Sequence, residues 1–279
     1  RPVGFGGVSI TGEKGTTKTT LNTDSYRANT PSKVEVKDLS GNLYRAELYT
    51  WDLSSTTASS SNYVKLSQKI TMDYDGDSGH RDSAHTYTYD SLGNKLTDID
   101  WGEVTGTYSS ATFSDTGSDK YTSTVTYASS TAAHIYVPSD ISTVDQSAVK
   151  INQKRLYYDA QLLGTVTKGN ITKEEDWKSG SSYINSQKTY DSFGLVASST
   201  DPRGKVTGYV YDSNKLYPAT ITNPLSQSTS YTYDYSLGKP KQITDPNGLV
   251  MQTIYDGFDR VTEEKIPDLV TPASLVTKN

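Results

Sequence analysis

The chain has no cysteine among its 279 residues. A disulfide framework, thiolate catalysis and cysteine-ligated metal sites are therefore excluded, although this absence does not identify a cellular compartment. No run of eighteen apolar residues occurs, so the sequence predicts no membrane span. The 27 basic and 32 acidic residues give a formal net charge of −5. Because these charges form no basic stripe, the sequence argues against a nucleic-acid partner.

Apolar residues are also scarce, at 33% of the chain, and the mean hydropathy is −0.63. Such a composition is found in disordered chains, but 22 tyrosines argue against disorder here. Tyrosine suits a single-layer sheet because its ring packs against a cross-strand neighbour while its hydroxyl stays in water. We therefore expect stability from strand ladders and cross-strand pairs, and little from a deep core.

Two short motifs recur on one period in the last third of the chain. Tyr-Asp pairs begin 21, 22 and 22 residues apart, at Tyr190, Tyr211, Tyr233 and Tyr255. A second motif, Asp-Pro-x-Gly or its Asn-Pro variant, begins 22 and 22 residues apart, at Asp201, Asn223 and Asp245. Internal repetition of this kind decides the architecture before any single residue is considered.

The chemistry of one period predicts two turns and two strands. In Asp-Pro-x-Gly, proline presets φ, aspartate bonds its own downstream backbone, and glycine accepts positive φ, which we expect at Gly204 and Gly248. The runs 205–211 and 216–222 are rich in Val, Ile, Thr and Tyr and alternate in polarity, as strands do. The fold class is therefore all-β, an antiparallel up-and-down ribbon with Tyr-Asp and Asp-Pro turns on opposite rims and very little helix.

These repeated motifs resemble those of the RHS/YD-repeat family, which includes bacterial Rhs polymorphic toxins, the B and C components of insecticidal Tc toxin complexes, and animal teneurins. The match runs from Tyr190 to Asp259 and recurs around 87–97 and 156–164, with a degenerate copy in 34–51. The opening Val3-Gly-Phe-Gly-Gly-Val resembles a segment that introduces the repeats in Tc B-type chains. The resemblance implies a β-ribbon wound into a hollow shell that encloses a toxic or folded C-terminal cargo.

The residues assigned to the repeat motif are interpreted as structural. A catalytic acid is needed once, whereas a turn-forming residue is needed in every period, so the recurring aspartates are expected to form turns. The motif residues are Tyr89, Asp90, Gly93, Tyr158, Asp159, Gly164, Tyr190, Asp191, Gly194, Asp201, Pro202, Gly204, Tyr211, Asp212, Asn223, Pro224, Tyr233, Asp234, Gly238, Asp245, Pro246, Gly248, Tyr255 and Asp256.

The regularity of the pattern divides the chain into three segments. Residues 1–135 are a β-rich opening segment with degenerate repeats, and the polar stretches Ser54–Asn62 and Ser109–Asp119 are expected to project from it as long hairpin loops. Residues 136–187 are irregular, and 188–279 contain the regular repeats. The distance of 32 residues from Tyr158 to Tyr190 is attributed to an insertion at Asn170–Ser182, in which Lys173–Lys178 could form one helical turn.

Most candidates for chemistry fail on their spacing. The segment Gly7–Lys14 approaches a phosphate-binding loop, but Glu13 stands where the lysine is required, so a glycine-rich strand and turn is the preferred interpretation. Asp73, Asp75 and Asp77 begin like a calcium loop but lack its sixth-position glycine and its terminal acid. A solvated hairpin tip is preferred there, and a loose calcium site stays open as an alternative.

The histidines suggest no catalytic site. His80 and His85 flank Asp82, but no third ligand for zinc is indicated. No nucleophile elbow or Ser-His-Asp arrangement stands out. Related toxins end their shell with a self-cleaving aspartate protease segment, and nothing after Asp259 matches it. We expect no catalytic residues, no metal and no cofactor.

Three functions remain open at this point. The first is a non-catalytic structural segment of a repeat shell that encapsulates a toxin or effector. The second is an adhesion or carbohydrate-binding module at a cell surface, because exposed Tyr with Asp and Asn can contact sugars. The third, an enzyme, has no specific support. A start at Arg1 without methionine suggests a piece of a longer bacterial polypeptide, secreted or on the cell surface. Its partners would be the remaining repeats and the C-terminal cargo, with self-association possible through exposed strand edges.

Overall fold

A computed structural model describes residues 6–55, 62–76, 78–268, 271–272 and 274–278. Every named element in these ranges is a β-strand, and the strand ladders are antiparallel. The predicted all-β antiparallel class is therefore confirmed. The opening segment that resembles Tc chains lies mainly outside the described residues, as do 56–61 of the first predicted loop.

Twenty-one strands follow one another along the described chain. They are β1 Gly7–Gly12, β2 Gly15–Leu21, β3 Pro31–Lys37, β4 Leu43–Ser55, β5 Asn62–Asp73, β6 Arg81–Tyr89, β7 Lys95–Thr107, β8 Thr112–Asp115, β9 Tyr121–Ser130, β10 Ile135–Asp145, β11 Lys150–Tyr158, β12 Ile171–Ser179, β13 Ser182–Tyr190, β14 Val196–Thr200, β15 Val206–Tyr211, β16 Pro218–Thr222, β17 Ser228–Asp234, β18 Lys239–Thr244, β19 Val250–Tyr255, β20 Val261–Pro267 and β21 Leu275–Thr277.

The chain divides into two compact units. The first comprises the residues up to Tyr127 together with Pro138–Lys154, and the second comprises Ala128–Val137 and the chain from Arg155 onward. The three segments expected from the regularity of the sequence remain a prediction.

In the first unit, strands β1 to β7 pair consecutively, and β7 then carries two further partners. Its residues 104–107 pair with β8, and its residues 97–100 pair with the start of β9. The stretch Ser109–Asp119, expected to be a projecting loop, therefore contains a strand of the sheet. That expectation was wrong because Thr112–Asp115 can complete the ladder along the long strand β7.

A small apolar core lies on one face of these long strands. Alternation along the strands places apolar side chains together, and Phe113 and Ala111, from the segment that follows β7, pack over them. The Gln68 amide also donates a hydrogen bond to the Ala111 carbonyl oxygen at 2.7 Å. The cluster is small, and covering this face removes its apolar surface from water. The buried residues of the cluster are Ala46, Leu48, Ile70, Met72, Ala84 and Val104.

The second unit contains the regular repeats and a smaller buried cluster of Ala128, Tyr158 and Val166. Strands β13 to β20 pair consecutively, and no residue of 182–267 is fully buried. Because successive strands run in opposite directions, the Tyr-Asp hairpins lie at one end of the strands and the Asp-Pro hairpins at the other. The predicted arrangement on opposite rims is therefore confirmed.

The predicted helical turn at Lys173–Lys178 was wrong, since these residues form part of β12. In a strand, residues two apart share a face, and Lys173 accordingly forms a 2.5 Å ion pair with Glu175. The extra residues between Tyr158 and Tyr190 also lie elsewhere than predicted. They form the connection 159–170 and two strands, β12 and β13, of nine residues each.

Candidate functional site: the repeated turns

The two sequence motifs form one and the same turn. In the Tyr-Asp hairpin, the Asp191 carboxylate accepts hydrogen bonds from the backbone N–H of Phe193 at 2.9 Å and of Leu195 at 3.0 Å. The Asp191 N–H in turn donates to the Leu195 carbonyl oxygen at 2.8 Å, and Gly194 has φ of 80°. This is a type I turn closed by a left-handed residue.

The Asp-Pro hairpin repeats this geometry. Asp201 accepts from the N–H groups of Arg203 and Lys205, both at 2.9 Å. The predicted positive φ is confirmed at Gly204 (75°) and Gly248 (82°). A side-chain oxygen accepting from the N–H four residues later is found at Asp38, Asp90, Asp145, Asp191, Asp201, Asp212, Asn223, Asp245 and Asp256. Asp234 differs, because its turn closes on Gly238 four residues later.

Glycine is not required at the left-handed position. Ala148, Lys215, Ser226 and Asp259 adopt φ between 57° and 68° at the same place in their turns. This is why the sequence did not reveal the turn at Asp145, where Ala148 stands in place of glycine. The recurring acidic side chain and its two backbone hydrogen bonds define the turn more reliably than the glycine does.

The two rims differ in the ladder next to the turn. Beside the Tyr-Asp turn, Thr189 pairs with Ser198 but Tyr190 pairs with Val196, which leaves Ala197 as a β-bulge. The same shift occurs at Tyr89, Tyr211, Tyr233 and Tyr255. The ladders beside the Asp-Pro turns have no such shift. Since a bulge bends its strand and increases local twist, only the Tyr-Asp rim carries this repeated distortion.

The tyrosine of the motif ties neighbouring hairpins together. The Tyr233 hydroxyl donates to the Pro218 carbonyl oxygen at 2.9 Å, and the Tyr255 hydroxyl donates to the Pro240 carbonyl oxygen at 3.0 Å, each fifteen residues back. Tyr190 and Tyr89 donate in the same way to Ile171 and Leu66, at 2.7 and 2.8 Å. The sequence analysis assigned this tyrosine to packing and did not predict its hydrogen bond. The available signal was the proline that precedes both Tyr233 and Tyr255 by fifteen residues.

The carboxylates of Asp256 and Asp159 are stabilised in their ionised form by their own turns. The Arg260 guanidinium and its N–H lower the pKa of Asp256. At Asp159, burial raises the pKa, but four backbone N–H donors from residues 167–170 outweigh it and hold the pKa well below its usual range. A carboxylate that is already saturated with hydrogen bonds is a poor general acid or base at neutral pH.

Asp159 begins an enlarged version of the turn. Asp159 and Ala160 adopt φ of 54° and 57°, and Gly164 has φ of 85°. The chain then returns so that Val166 is buried and residues 167–170 encircle the carboxylate. The twelve residues 159–170 thus replace a five-residue turn.

The histidines and aspartates that were considered as metal ligands in the sequence contact local partners in the structure. His80 Nδ1 contacts the buried Asp82 carboxylate, whereas His85 lies against Asp98 and Asp100 instead. Asp73 faces Arg45 at 3.6 Å, and Asp77 of the calcium alternative lies outside the described residues. Across the described ranges, no group of three His, Asp or Glu side chains is placed to hold a metal.

The segment Gly7–Lys14, considered for phosphate binding, contains β1 and its turn into β2, with Gly12 paired with Gly15. The part of the chain that the structure describes also has no helix long and apolar enough to cross a membrane.

Comparison with known families gives one match. The model of the RHS repeat matches residues 190–215, which contain two Tyr-Asp turns and the Asp-Pro turn between them. The chain carries an RHS repeat. The resemblance to the RHS/YD-repeat family is therefore confirmed. A comparison with curated proteins finds no match.

Solved structures extend the likeness to the whole described fold. A Tc holotoxin pore structure from Photorhabdus luminescens matches with a TM-score of 0.69 at 11% identity, covering 91% of this chain and 17% of that chain. A crystal structure of TcdB2-TccC3 matches with a TM-score of 0.68 at 12% identity, covering 100% and 19%. A TcdB2-TccC3-Cdc42 structure gives 0.68 at 11% identity, covering 99% and 18%. These likenesses concern the fold, and the chain spans 17–19% of the length of these proteins.

Proposed function

We propose that this chain is a non-catalytic wall segment of an RHS-type shell that encloses a toxin or effector cargo within a longer polypeptide. The observation that carries the proposal is the uninterrupted series of hairpins β13 to β20, closed at both ends by turns in which an Asp or Asn side chain accepts hydrogen bonds from the turn backbone. Such a series can be extended by adding periods, because each hairpin contacts its neighbours only. The match to less than a fifth of much longer Tc chains supports a place within a larger ribbon.

The repeated acidic residues support a structural role over catalysis. The carboxylates of Asp90, Asp191, Asp245 and Asp256 each accept hydrogen bonds from two backbone N–H groups of their own turns. The partners of the segment are then the remaining repeats and the C-terminal cargo of the parent chain, with strand-edge pairing between copies as a secondary contact. A secreted or cell-surface bacterial protein is the setting we propose.

Protease protection in the longer parent polypeptide tests this proposal. A shell predicts that the cargo resists trypsin in the full chain and is digested when it is expressed alone. The control is the same full chain after mild unfolding in urea, which should expose the cargo. Equal digestion of the cargo in the full chain and in isolation would contradict the proposal that a shell encloses it. The isolated 279-residue chain is expected to give no turnover on ester, peptide or phosphoester substrates, and sustained turnover would reopen the enzymatic alternative.

A second candidate, a carbohydrate-binding surface module, is favoured by one observation. The chain departs from the regular period at 159–170, and a polar cleft of about 650 Å³ lies there. Its chemistry is developed below.

A further inference from the structure

The cleft lies where the enlarged turn meets strands β12 and β13 of the second unit. Its volume of about 650 Å³ falls within the range of small-molecule sites. The corresponding position in a regular repeat, beside Gln252 and Tyr255, has only a five-residue turn and forms a smaller cleft of about 310 Å³. The larger volume here is thus a consequence of the chain that interrupts the period.

The enlarged turn is rigid before any ligand arrives. Asp159 accepts from the N–H groups of residues 167–170 at 2.7–3.0 Å, and Val166 beneath them is buried. The Ala160 N–H donates to the Thr172 hydroxyl at 2.9 Å, which fastens the turn to β12. A site that is already ordered loses little conformational entropy when a ligand binds.

Most charged groups around the cleft are engaged within the protein, and Lys168 is the lining lysine that forms no ion pair with the described residues. Lys173 contacts Glu175, and Lys188 lies 3.5 Å from Glu174. Asp159 is saturated by its own turn, and Asp191 accepts from the two N–H groups of its hairpin. A metal ion would therefore have to break existing pairs to bind here, and Lys168 is the one cation that can donate to a ligand without breaking an ion pair.

Uncharged polar groups remain available for a ligand. Gln187, on β13, lines the cleft, is exposed, and forms no side-chain hydrogen bond with the described residues. Gln161 uses only its amide N–H, in a 3.4 Å bond to the Asp159 carbonyl, which leaves its side-chain oxygen open. Asn170 adds a third amide to the lining. Each amide offers donors and an acceptor.

We propose that this cleft binds a neutral oligosaccharide of two or three sugar units. Sugar hydroxyls both donate and accept hydrogen bonds, as the amides of Gln161, Asn170 and Gln187 do, and they need no charge partner. The lining has no aliphatic side chain larger than Ala160, and its rings, those of Tyr157 and Tyr190, can pack against a sugar face. An extended peptide cannot add to β13, because this strand is already paired with β12 and β14.

Nuclear magnetic resonance titration of the 279-residue chain tests the proposal, with cellotriose, maltotriose and chitotriose as neutral probes and sialyllactose as the acidic comparator. At millimolar concentration, at least one neutral probe should shift the side-chain amides of Gln187 and Asn170 and the backbone amides of 167–170. Gln187→Ala should weaken that binding by about fivefold, the effect of losing one neutral hydrogen bond.

The matched control is Gln252→Ala. Gln252 stands three residues before Tyr255, as Gln187 stands before Tyr190, but it lies in a regular repeat without the enlarged turn. This variant should leave the affinity unchanged. The proposal fails if no neutral probe shifts these resonances, if sialyllactose alone does so, or if Gln252→Ala weakens binding as much as Gln187→Ala. None of these results bears on cargo protection in the parent chain, so the cleft and the shell fail separately.

Discussion

Residues 31–115 and residues 182–267 stabilise antiparallel sheet in two different ways. The first stretch uses long strands whose buried apolar side chains are covered by Ala111 and Phe113. The second uses short strands with no fully buried residue, saturated turns, and tyrosine hydroxyls that tie neighbouring hairpins. The comparison teaches that a single sheet can be stabilised non-locally, by covering a face, or locally, by repeating one well-bonded hairpin.

The largest expected effect comes from opening a cavity in the covered face. Ile70 is fully buried, so Ile70→Ala should lower the free energy of unfolding by about 2–5 kcal/mol. The matched substitution in the repeats, Ile254→Ala, removes a side chain that is 39% exposed and should cost less than about 1 kcal/mol. Urea denaturation followed by circular dichroism measures both, and equal losses would erase the contrast between the two regions.

A smaller effect is expected from the backbone of the repeated turn. Gly204 and Gly248 have φ of 75° and 82° with open space around them, so Gly→Val at either position costs only left-handed backbone strain, about 1–2 kcal/mol. Thr207→Val, in the neighbouring strand, should be nearly neutral. Melting temperatures compare the three variants, and equal shifts would contradict the register of the turns.

At the same position of another turn, a substitution is expected to stabilise the protein. Ser226 occupies it with φ of 61°, so Ser226→Gly relieves strain and should stabilise the protein by up to about 1 kcal/mol, after the entropic cost of glycine is offset. A clear destabilisation by Ser226→Gly in the same melting experiment would show that the serine side chain, and not the backbone, matters there.

The tyrosine hydrogen bonds between neighbouring hairpins are expected to contribute a similar or smaller amount to the free energy of unfolding. Tyr233→Phe removes the hydrogen bond to Pro218 and should cost about 1 kcal/mol. Tyr211 provides the control, because its hydroxyl forms no hydrogen bond with the described residues, and Tyr211→Phe should have almost no effect. If both variants lost the same stability in urea, the hydrogen bond of the Tyr233 hydroxyl would not be the reason for the tyrosine in the motif.

The last expected effect concerns the Asp159 carboxylate and depends on pH. The pKa of Asp159 is lowered in the folded chain, so its contribution to stability is complete above the unfolded pKa of about 3.9 and is lost as the pH falls below it. The melting temperature should therefore fall from pH 5 downward, and Asp159→Asn should flatten that fall by lowering the melting temperature at pH 7, where the carboxylate contributes fully, more than in acid. An unchanged acid slope in the variant would contradict this assignment.

The features that the sequence predicted correctly are those that depend on interactions between residues close together in the chain. The Asp-Pro turns, the positive φ at Gly204 and the alternating strands depend on residues within one period, and they were found as expected. The helical turn at Lys173–Lys178 failed because pairing across to β13 decided its conformation, which the local sequence does not encode.

Two further features depend on distant partners and could not be predicted. The stretch Ser109–Asp119 was expected to project, but the apolar face that it covers is assembled from β4, β5, β6 and β7. The polar cleft requires the Asp159 carboxylate to gather N–H groups eight to eleven residues away, in a conformation with no glycine at its first two positions. Sequence patterns report periodicity well, but not which distant segment covers a face.

Residue-resolved amide hydrogen exchange tests the contrast between the two regions most directly. If the covered face is stabilised non-locally, amides of β4, β5 and β6 should exchange only through global unfolding and lose protection together in Ile70→Ala. If the repeats are stabilised locally, amides of β15 to β18 should open at lower free energy, hairpin by hairpin, and respond to Gly204→Val only near that turn. Uniform protection across both regions, falling everywhere by the same amount in either variant, would contradict the account.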